Sequence, residues 1–354
     1  MYSVGVFARG LFALVVLALG SCQSSGSKAG PAKSEGAKPA PLNLVLVTID
    51  TQRADRLGCY GYSKVETPNL DKLARRGVLF ENAISTAPLT APAHASLFTG
   101  VYPTVHKVRD TGGFILHNSH TTLAEVLESR GWDTAAFVGA SVLKKSFGFS
   151  QGFAVYDDEM PKPDANHPVE FPERRAGEVV DRAKRWLEAQ SGKPFFLWVH
   201  VFDPHSPYDP PPPFRQKYSE NLYDGEVAYT DQQLGRLFEA VEKRSNTLLA
   251  VMADHGESLS EHGEFTHGIF LYDSTLRVPF LLAGPGVPSG LRVKQQVRGV
   301  DLLPTVLELM GGPVPPGVQG ASLVPTLSGK APPVEDSYLE TLFPRINIDR
   351  KSVV

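Results

Sequence analysis

Residues 42–50 read LNLVLVTID, an almost unbroken apolar run that is rich in β-branched side chains. β-branched residues pack well on a pleated sheet, and a strand without polar alternation is typical of one that is buried on both faces. Sheets with two buried faces are mostly parallel, because the helices that connect parallel strands cover both faces. This stretch therefore predicts a strand of a parallel sheet, with Asp50 at its carboxyl end.

Helix and strand patterns alternate after this strand. In TPNLDKLARRG (67–77), a Thr-Pro start and a Gly end are typical of a helix. Thr122 and Glu125 have the spacing of a capping box before another helix. Further strands are predicted in WDTAAFVG (132–139), PFFLWVHVF (194–202), TLLAVMADHGE (247–257) and VPFLLAGPG (278–286). The alternation predicts an α/β sandwich with a central, mostly parallel sheet flanked by helices.

The amino-terminal residues predict export. Arg9 precedes the apolar run LFALVVLALG (11–20), which is short for a membrane span and typical of an export signal. LGSC (19–22) resembles the bacterial lipobox, which implies cleavage before Cys22 and lipid attachment to its sulfur; an ordinary signal peptide is the alternative. We expect a lipoprotein signal peptide at 1–21 and a flexible tether at 22–40, which holds no large apolar side chain. The protein would then be anchored to a bacterial membrane, facing the periplasm or the cell exterior.

The charge of the chain argues against some partners. Its 354 residues have a formal net charge of −3, which gives no electrostatic case for binding nucleic acid. A locally positive cleft for an anionic substrate is still compatible with this balance. The oligomeric state does not follow from the sequence.

Three predicted strands end in side chains that bind metals or transfer protons. Asp50 follows the first strand, Asp203 and His205 follow another, and Asp254 and His255 follow a third. Ligands gather at the carboxyl ends of parallel strands, so these side chains should lie along one edge of the sheet. A helix cap or a turn would explain any one of these aspartates, but their joint placement favours a metal site.

A threonine stands at the start of a predicted helix in APLTAPAHASLFTG (87–100). The free N–H groups and positive dipole end of a helix N-terminus attract an anion. Binding of a divalent cation to the hydroxyl of Thr90 would lower its pKa and make the oxygen a nucleophile. The alternative is that Thr90 only caps the helix.

Six separated motifs resemble, in this order, those of the sulfatases of the alkaline phosphatase superfamily. They are NLVLVTIDTQRADRLGCYGY (43–62), TPNLDKLARRGVLFENAIS (67–85), LTAPAHASLFTGVYPTVH (89–106), FDPHSPYDPP (202–211), ADHGESLSEHGEFTHG (253–268) and LYDSTLRVPFLLAGPG (271–286). The resemblance extends from about residue 42 to about residue 309. It implies an α/β sandwich hydrolase that binds a divalent metal and attacks phosphate or sulfate esters.

The resemblance also implies roles for individual residues. The implied metal ligands are Asp50, Thr90, Asp254 and His255, with Thr90 also the nucleophile. His205 and His267 would hold the transferred group or protonate the leaving group, and His94 would orient the loop or the anion. Arg53, close to Asp50 in sequence, would either meet the substrate anion or buttress Asp50.

The nucleophile position departs from the arylsulfatases, which need a cysteine or serine there for oxidation to formylglycine. Thr90 cannot form that aldehyde, and a threonine at this position resembles the nucleotide phosphodiesterases, lipoteichoic acid synthases and phosphoethanolamine transferases of the superfamily. We therefore expect a metal-dependent hydrolase of phosphate or sulfate esters that favours phosphoesters through a metal-bound threonine. The alternatives are a sulfatase without formylglycine, a phosphoglycerol- or phosphoethanolamine-type transferase, and an inactive glycan-binding lipoprotein.

Two questions about the site and its borders stay open at this level. Asp203 with His205 and His267 could hold a second metal, although the close spacing of the first two favours a single ion. The imidazole of His255 favours Mn²⁺ or Zn²⁺, and Ca²⁺ remains an option by family precedent. We expect a catalytic domain at 41–330 and an incomplete, truncated C-terminal subdomain at 331–354, which would leave the cleft without one wall.

Overall fold

The computed structural model describes residues 41–161, 172–331 and 336–347. The signal peptide predicted at 1–21, the lipidation site Cys22 and the tether predicted at 22–40 lie outside the described residues. Among the helices of the described ranges, none has the length and apolar character that crossing a bilayer requires.

One sheet runs through the described part of the chain. Its strands are β1 Asn43–Ile49, β2 Val78–Ile84, β3 Asp133–Val138, β4 Val155–Asp157, β5 Phe195–Val201, β6 Thr247–Ala253, β7 Arg277–Ala283 and β8 Leu291–Arg298. Their order across the sheet is β4-β3-β5-β1-β6-β7-β2-β8. Neighbours from β4 to β6 pair in parallel, as do β2 and β8, whereas β7 is antiparallel to both β6 and β2. The predicted mostly parallel α/β sheet is confirmed.

The α-helices lie between and after these strands. They are α1 Pro68–Arg76, α2 Thr90–Thr99, α3 Pro103–His106, α4 Leu123–Ser129, α5 Ala176–Ala189, α6 Phe214–Lys217, α7 Leu222–Glu242, α8 Asp273–Leu276, α9 Leu302–Leu309, α10 Val324–Leu327 and α11 Phe343–Asn347. The predicted capping box of α4 is formed by Thr122 and Glu125.

The central strand β1 contributes to two apolar layers, one on each face of the sheet. Leu44 and Leu46 belong to a core that includes side chains of α2, α4 and α9. Val45, Val47 and Ile49 belong to a second core, which includes side chains of α1, α5 and α7. All seven residues of β1 are buried, as the apolar run predicts, because helices cover both faces.

Residues 336–347 lie against the domain. The backbone N–H of Glu340 donates to the carbonyl of Thr86 at 3.2 Å, and the carboxylate of Glu340 is paired with Arg109. Asn347 donates from Nδ2 to Asp110 at 2.9 Å. The incomplete C-terminal subdomain stays a prediction, but its described part packs against Thr86, Arg109 and Asp110.

Candidate active site

The carboxyl ends of the neighbouring strands β1 and β6 bring three predicted metal ligands together. Asp50, Asp254 and His255 each offer a ligand atom, and these atoms all lie within 4.8 Å of one another. These three residues are called the metal-ligand group below. Their side chains are fully buried, with exposed fractions of 0%, 1% and 0%. The N–H groups of Thr51 and His255 donate to Asp254 Oδ1 at 3.3 and 2.8 Å, which fixes that carboxylate.

The donor atoms of this group fit a divalent cation. Both carboxylate oxygens of Asp50 and Oδ2 of Asp254 are buried without a hydrogen-bond partner among the described residues. Two buried carboxylates without partners are costly unless a cation compensates them. Burial raises the pKa of Asp50 and of Asp254, because the charged form of each carboxyl group loses its hydration.

The tautomer of His255 completes this donor set. Its Nδ1 lies 2.9 Å from the carbonyl of Gly256, which can only accept, so Nδ1 carries a proton. Nε2 then faces the two carboxylates, at 3.6 Å from Asp50 Oδ1 and 3.7 Å from Asp254 Oδ2. Although burial alone would lower the pKa of His255, the charges of Asp254 and Asp50 raise it above its ordinary value. A metal ion is an alternative to a proton at Nε2, and oxygen and imidazole ligands together suit a divalent ion.

Thr90 lies at the edge of this group. It is the first residue of α2, it is 4% exposed, and its hydroxyl oxygen is 3.3 Å from Nε2 of His255. Leu89 is the N-cap of the helix, without a side-chain cap. The hydroxyl of Thr90 is therefore directed at the metal-ligand group, and the alternative that it only caps the helix is not realised.

His94 holds the backbone of Thr90 through a hydrogen bond. Its Nδ1 donates to the carbonyl of Thr90 at 2.8 Å, and its Nε2 is 3.0 Å from Oγ1 of Thr48. The ring is fully buried, and burial lowers its pKa to about 3. Both ring nitrogens are engaged by the protein, so of the two implied roles the geometry favours orienting the loop over binding the anion.

His200 adjoins the metal-ligand group from β5. Because His94 is neutral and donates from Nδ1, its Nε2 accepts the single hydroxyl proton of Thr48. Thr48 then accepts from Nε1 of Trp198 at 2.9 Å and from Nδ1 of His200 at 3.0 Å. Nε2 of His200 is left without a proton and without a partner among the described residues, 3.4 Å from Asp50 Oδ2. Thr48 thus aligns two imidazoles beneath the site.

His205 and His267 stand over the opening of the site. Their ring centroids are 5.1 Å apart, and that of His267 is 4.5 Å from His255. Nδ1 of His205 donates to the carbonyl of Ser206, and Nδ1 of His267 is 3.1 Å from Glu257 Oε1. Burial lowers the pKa of both histidines. Each imidazole is therefore oriented through Nδ1 and keeps Nε2 for another partner.

Comparison with known proteins identifies the family to which the chain belongs. A family model described as Sulfatase matches residues 42–312. The chain belongs to the sulfatase family. As a member of this family, with its alkaline-phosphatase-like fold, it is an ester hydrolase whose substrate is an anionic ester, and the Asp/His group can hold the metal on which sulfatases depend.

Individual relatives of this sulfatase-family chain include enzymes with different named activities. An ulvan-active sulfatase of Formosa agariphila is 27% identical over 85% of this chain and 68% of its own length. The phosphonate monoester hydrolase of Agrobacterium radiobacter has a similar fold, with a TM-score of 0.71 and 23% identity over 83% of this chain and 79% of the other. The phosphonate monoester hydrolase of Silicibacter pomeroyi gives a TM-score of 0.70 at 21% identity, over 86% of this chain and 82% of the other. The chain spans about two thirds of the length of its curated sulfatase relatives.

Arg53 is paired with acidic side chains of the neighbouring loops. Its guanidinium binds both carboxylate oxygens of Asp55, at 2.8 and 2.7 Å, and is 3.1 Å from Glu261. It also donates to the carbonyl of Glu257 at 3.0 Å. These partners hold the guanidinium, and none of them is Asp50. A contact of Arg53 with the substrate anion stays a prediction.

Asp203 has a structural partner within the protein. Its Oδ2 accepts from the N–H of Ala176 at 2.7 Å, so it caps the start of α5 from outside the helix. Among the described residues, the only group with metal-ligand geometry is the one of Asp50, Asp254 and His255. Asp203, His205 and His267 are not part of that group, and a second metal at these residues stays a prediction.

Sequence reasoning did not assign roles to three residues that support the site. They are Thr48, His200 and Glu257, all of which are fully buried. Glu257 had a usable signal, because it is an acid two residues after His255 in the motif ADHGES. Thr48 and His200 alternate with core residues of β1 and β5 and carry no such signal.

Proposed function

We propose that this sulfatase-family hydrolase cleaves phosphate mono- or diesters, with Thr90 as the nucleophile and a single divalent metal. The observation that carries the proposal is the hydroxyl of Thr90, which stands 3.3 Å from Nε2 of His255 at the edge of two uncompensated carboxylates. Threonine is a secondary alcohol, and its oxidation would give a ketone instead of an aldehyde. An unmodified hydroxyl favours direct attack on phosphorus over a reaction that depends on formylglycine.

Asp50, Asp254 and His255 would hold the metal, with Thr90 as a further ligand. When bound there, a divalent ion supplies Lewis-acid polarisation of the ester and lowers the pKa of a nearby hydroxyl. The imidazole favours Mn²⁺ or Zn²⁺ over Ca²⁺.

The residues of the chain account for two balanced steps. Oγ1 of Thr90 bonds to phosphorus, the bond from phosphorus to the leaving oxygen breaks, and the proton of Thr90 passes through His205 or His267 to that oxygen. Water then attacks the phosphothreonine, the bond from Oγ1 to phosphorus breaks, and a proton from the water returns to Thr90. The start of α2 directs backbone N–H groups at the anion in both steps.

Sulfate-ester hydrolysis is a second candidate, which the similarity to an ulvan-active sulfatase favours. It would require Thr90 to act without oxidation to formylglycine. The two candidates differ in the central atom of the ester, so a substrate panel separates them.

The test compares wild type with Thr90→Val, Thr90→Ser and the control Thr99→Val, which changes a buried threonine at the other end of α2. Each Mn²⁺-loaded protein is assayed with p-nitrophenyl phosphate, bis(p-nitrophenyl) phosphate and p-nitrophenyl sulfate. We expect phosphoester turnover that falls by about a thousandfold or more in Thr90→Val and survives in Thr90→Ser and in the control. Turnover retained in Thr90→Val would overturn the nucleophile, and a preference for the sulfate would overturn the phosphoester.

We also propose that the protein is exported and lipid-anchored through Cys22, with a tether at 22–40 before a catalytic domain at 41–330. The support is the apolar run followed by LGSC. Labelling of cells with a radioactive fatty acid should mark the wild type and leave Cys22→Ser unmarked.

A further inference from the structure

A cavity of about 410 Å³ opens onto the side chains that would perform the reaction. Thr90, His205 and His267 lie on its wall. The remainder is largely apolar and includes Leu89, Val142 and Phe343. A leaving group that departs past the two histidines would therefore contact hydrocarbon.

The described lining of this cavity contains no lysine or arginine. Its carboxylate, Asp110, is already engaged, because Oδ2 accepts from Asn347 at 2.9 Å and Oδ1 from the N–H of Thr111 at 2.6 Å. Arg53, the buried cation nearest in sequence to Asp50, is bound to Asp55 and Glu261. A second anionic group on the substrate would find no lysine or arginine among the described residues that line the cavity.

The ring of Phe343, on the wall of the cavity, is held in place relative to Thr90 and His267. A Cβ placed on Gly268 would lie 3.3 Å from the ring of Phe343 and 3.3 Å from Leu89, so these two side chains meet over Gly268. Gly268 follows His267, and Leu89 precedes Thr90. Thr341 donates to the carbonyl of Gly268, which ties the segment that carries Phe343 to the same loop.

We propose that this cavity binds an uncharged, apolar leaving group, so that the substrate is a phosphoester of an alkyl or aryl alcohol and not of a polyanionic glycan. This inference rests on the proposed function for the position of the phosphorus. Each methylene buried in such a cavity should tighten binding about threefold to fourfold.

The test measures binding, so that it does not depend on turnover. Isothermal titration calorimetry of the Mn²⁺-loaded protein compares ethyl-, butyl- and hexylphosphonate, together with 3-carboxypropylphosphonate, in which a carboxylate replaces the terminal methyl of butylphosphonate. We expect affinity to rise about threefold per methylene, and the carboxylate analogue to bind at least about tenfold more weakly than butylphosphonate.

Variants assign the effect to the cavity wall. Phe343→Ala should flatten the chain-length dependence, whereas Ile346→Ala, which removes a 49% exposed side chain outside the cavity lining, should preserve it. Val142→Lys adds a cation and should reverse the order of butylphosphonate and its carboxylate analogue.

The inference would be overturned if the affinity of wild type did not change with the length of the alkyl chain, or if the carboxylate analogue bound more tightly than butylphosphonate. Chain-length-dependent binding without turnover of any phosphoester would instead overturn the proposed function and leave the apolar cavity standing.

Discussion

At the scale of single residues, the arrangement of protons around the site follows from hydrogen bonds to the chain itself. His205 and His255 each donate Nδ1–H to a backbone carbonyl, and His267 donates to Glu257. A carbonyl cannot donate, so these contacts decide which nitrogen remains available. Glu257 differs from the carbonyls because its ionised form also brings a negative charge, while burial raises the pKa of this carboxyl group.

Glu257 should therefore act as a positioning residue for His267. Glu257→Gln keeps an oxygen for the Nδ1–H of His267 but removes the charge that stabilises a protonated imidazole. We expect kcat for the preferred phosphoester to fall about tenfold or more, with KM changed little, because only proton transfer is impaired. Steady-state kinetics of the Mn²⁺-loaded variant provide the measurement.

Glu264→Gln is the matched control for this prediction. Glu264 is 2% exposed in the same loop and accepts from the N–H of Ile269 at 2.6 Å, a bond that glutamine can keep. Equal losses of kcat in the two variants would mean that any buried charge change in this loop disturbs catalysis, and the assigned role of Glu257 would fail.

The sequence predicts the positions of some of these residues but not the contacts of others. Asp50, Asp254 and His255 follow apolar runs, so their meeting at the sheet edge could be expected. The bidentate pairing of Arg53 with Asp55 depends on side-chain rotamers, and nothing in the spacing distinguishes it from a contact with substrate. His200 occupies a core position of β5, where a histidine has no visible purpose until Thr48 is placed beside it.

At the scale of elements, strands with long apolar runs were predictable, whereas β2, which Glu81 and Asn82 interrupt, was missed with β4 and β8. Five predicted strand segments correspond to β1, β3, β5, β6 and β7, whose apolar runs reflect burial on both faces. The edge strand β8 has an exposed polar centre, and β4 has only three residues, so neither forms an apolar run. The capping of α5 by Asp203 escaped prediction because the cap comes from a distant loop.

Helix α7 carries a buried acid that should make stability depend on pH. Glu226 is 3% exposed; its Oε1 accepts from the N–H of Asp209 at 2.8 Å, and its Oε2 has no partner among the described residues. Burial, reinforced by the charge of Asp203, raises its pKa from 4.5 to about 9. The folded state thus binds the proton more tightly than the unfolded state, and this contribution to stability is complete below pH 4.5 and lost as pH rises toward about 9.

Glu226→Gln should remove this dependence and keep the hydrogen bond to Asp209. We expect the free energy of unfolding of wild type to fall relative to the variant by up to about 1.4 kcal/mol per pH unit between about pH 5 and about pH 9. Urea titrations across this range provide the measurement. Glu239→Gln, an exposed substitution on the same helix, should keep the wild-type dependence; parallel curves for wild type and Glu226→Gln would contradict the assignment.

At the scale of the whole molecule, the metal-ligand group lies between the two central strands and couples metal binding to folding. Asp50 directly follows β1 and Asp254 directly follows β6, and these strands pair along their whole length. Without a cation, two carboxylates with unpartnered oxygens are buried between them, at a cost that unfolding relieves. The sequence predicted this convergence. It could not predict the wall that residues 336–347 add to the cleft, since the contacts that hold this segment against the domain, from Glu340 to Arg109 and from Asn347 to Asp110, are long-range.

Metal binding should therefore stabilise the fold as a whole. With MnCl₂ at about a hundred times its Kd, the free energy of unfolding should rise by about 2.7 kcal/mol over the metal-free protein, because the ion binds only the folded state. Asp254→Asn keeps an oxygen for the N–H groups of Thr51 and His255 but loses the charge, so the increase should vanish while the metal-free protein is no less stable than wild type. Urea titrations with and without MnCl₂ measure both effects, and His117→Gln, an exposed histidine, serves as the control. A stabilisation that persists in Asp254→Asn would place the ion elsewhere, and its absence in wild type with Mn²⁺, Zn²⁺ and Ca²⁺ alike would remove the metal from the catalytic proposal.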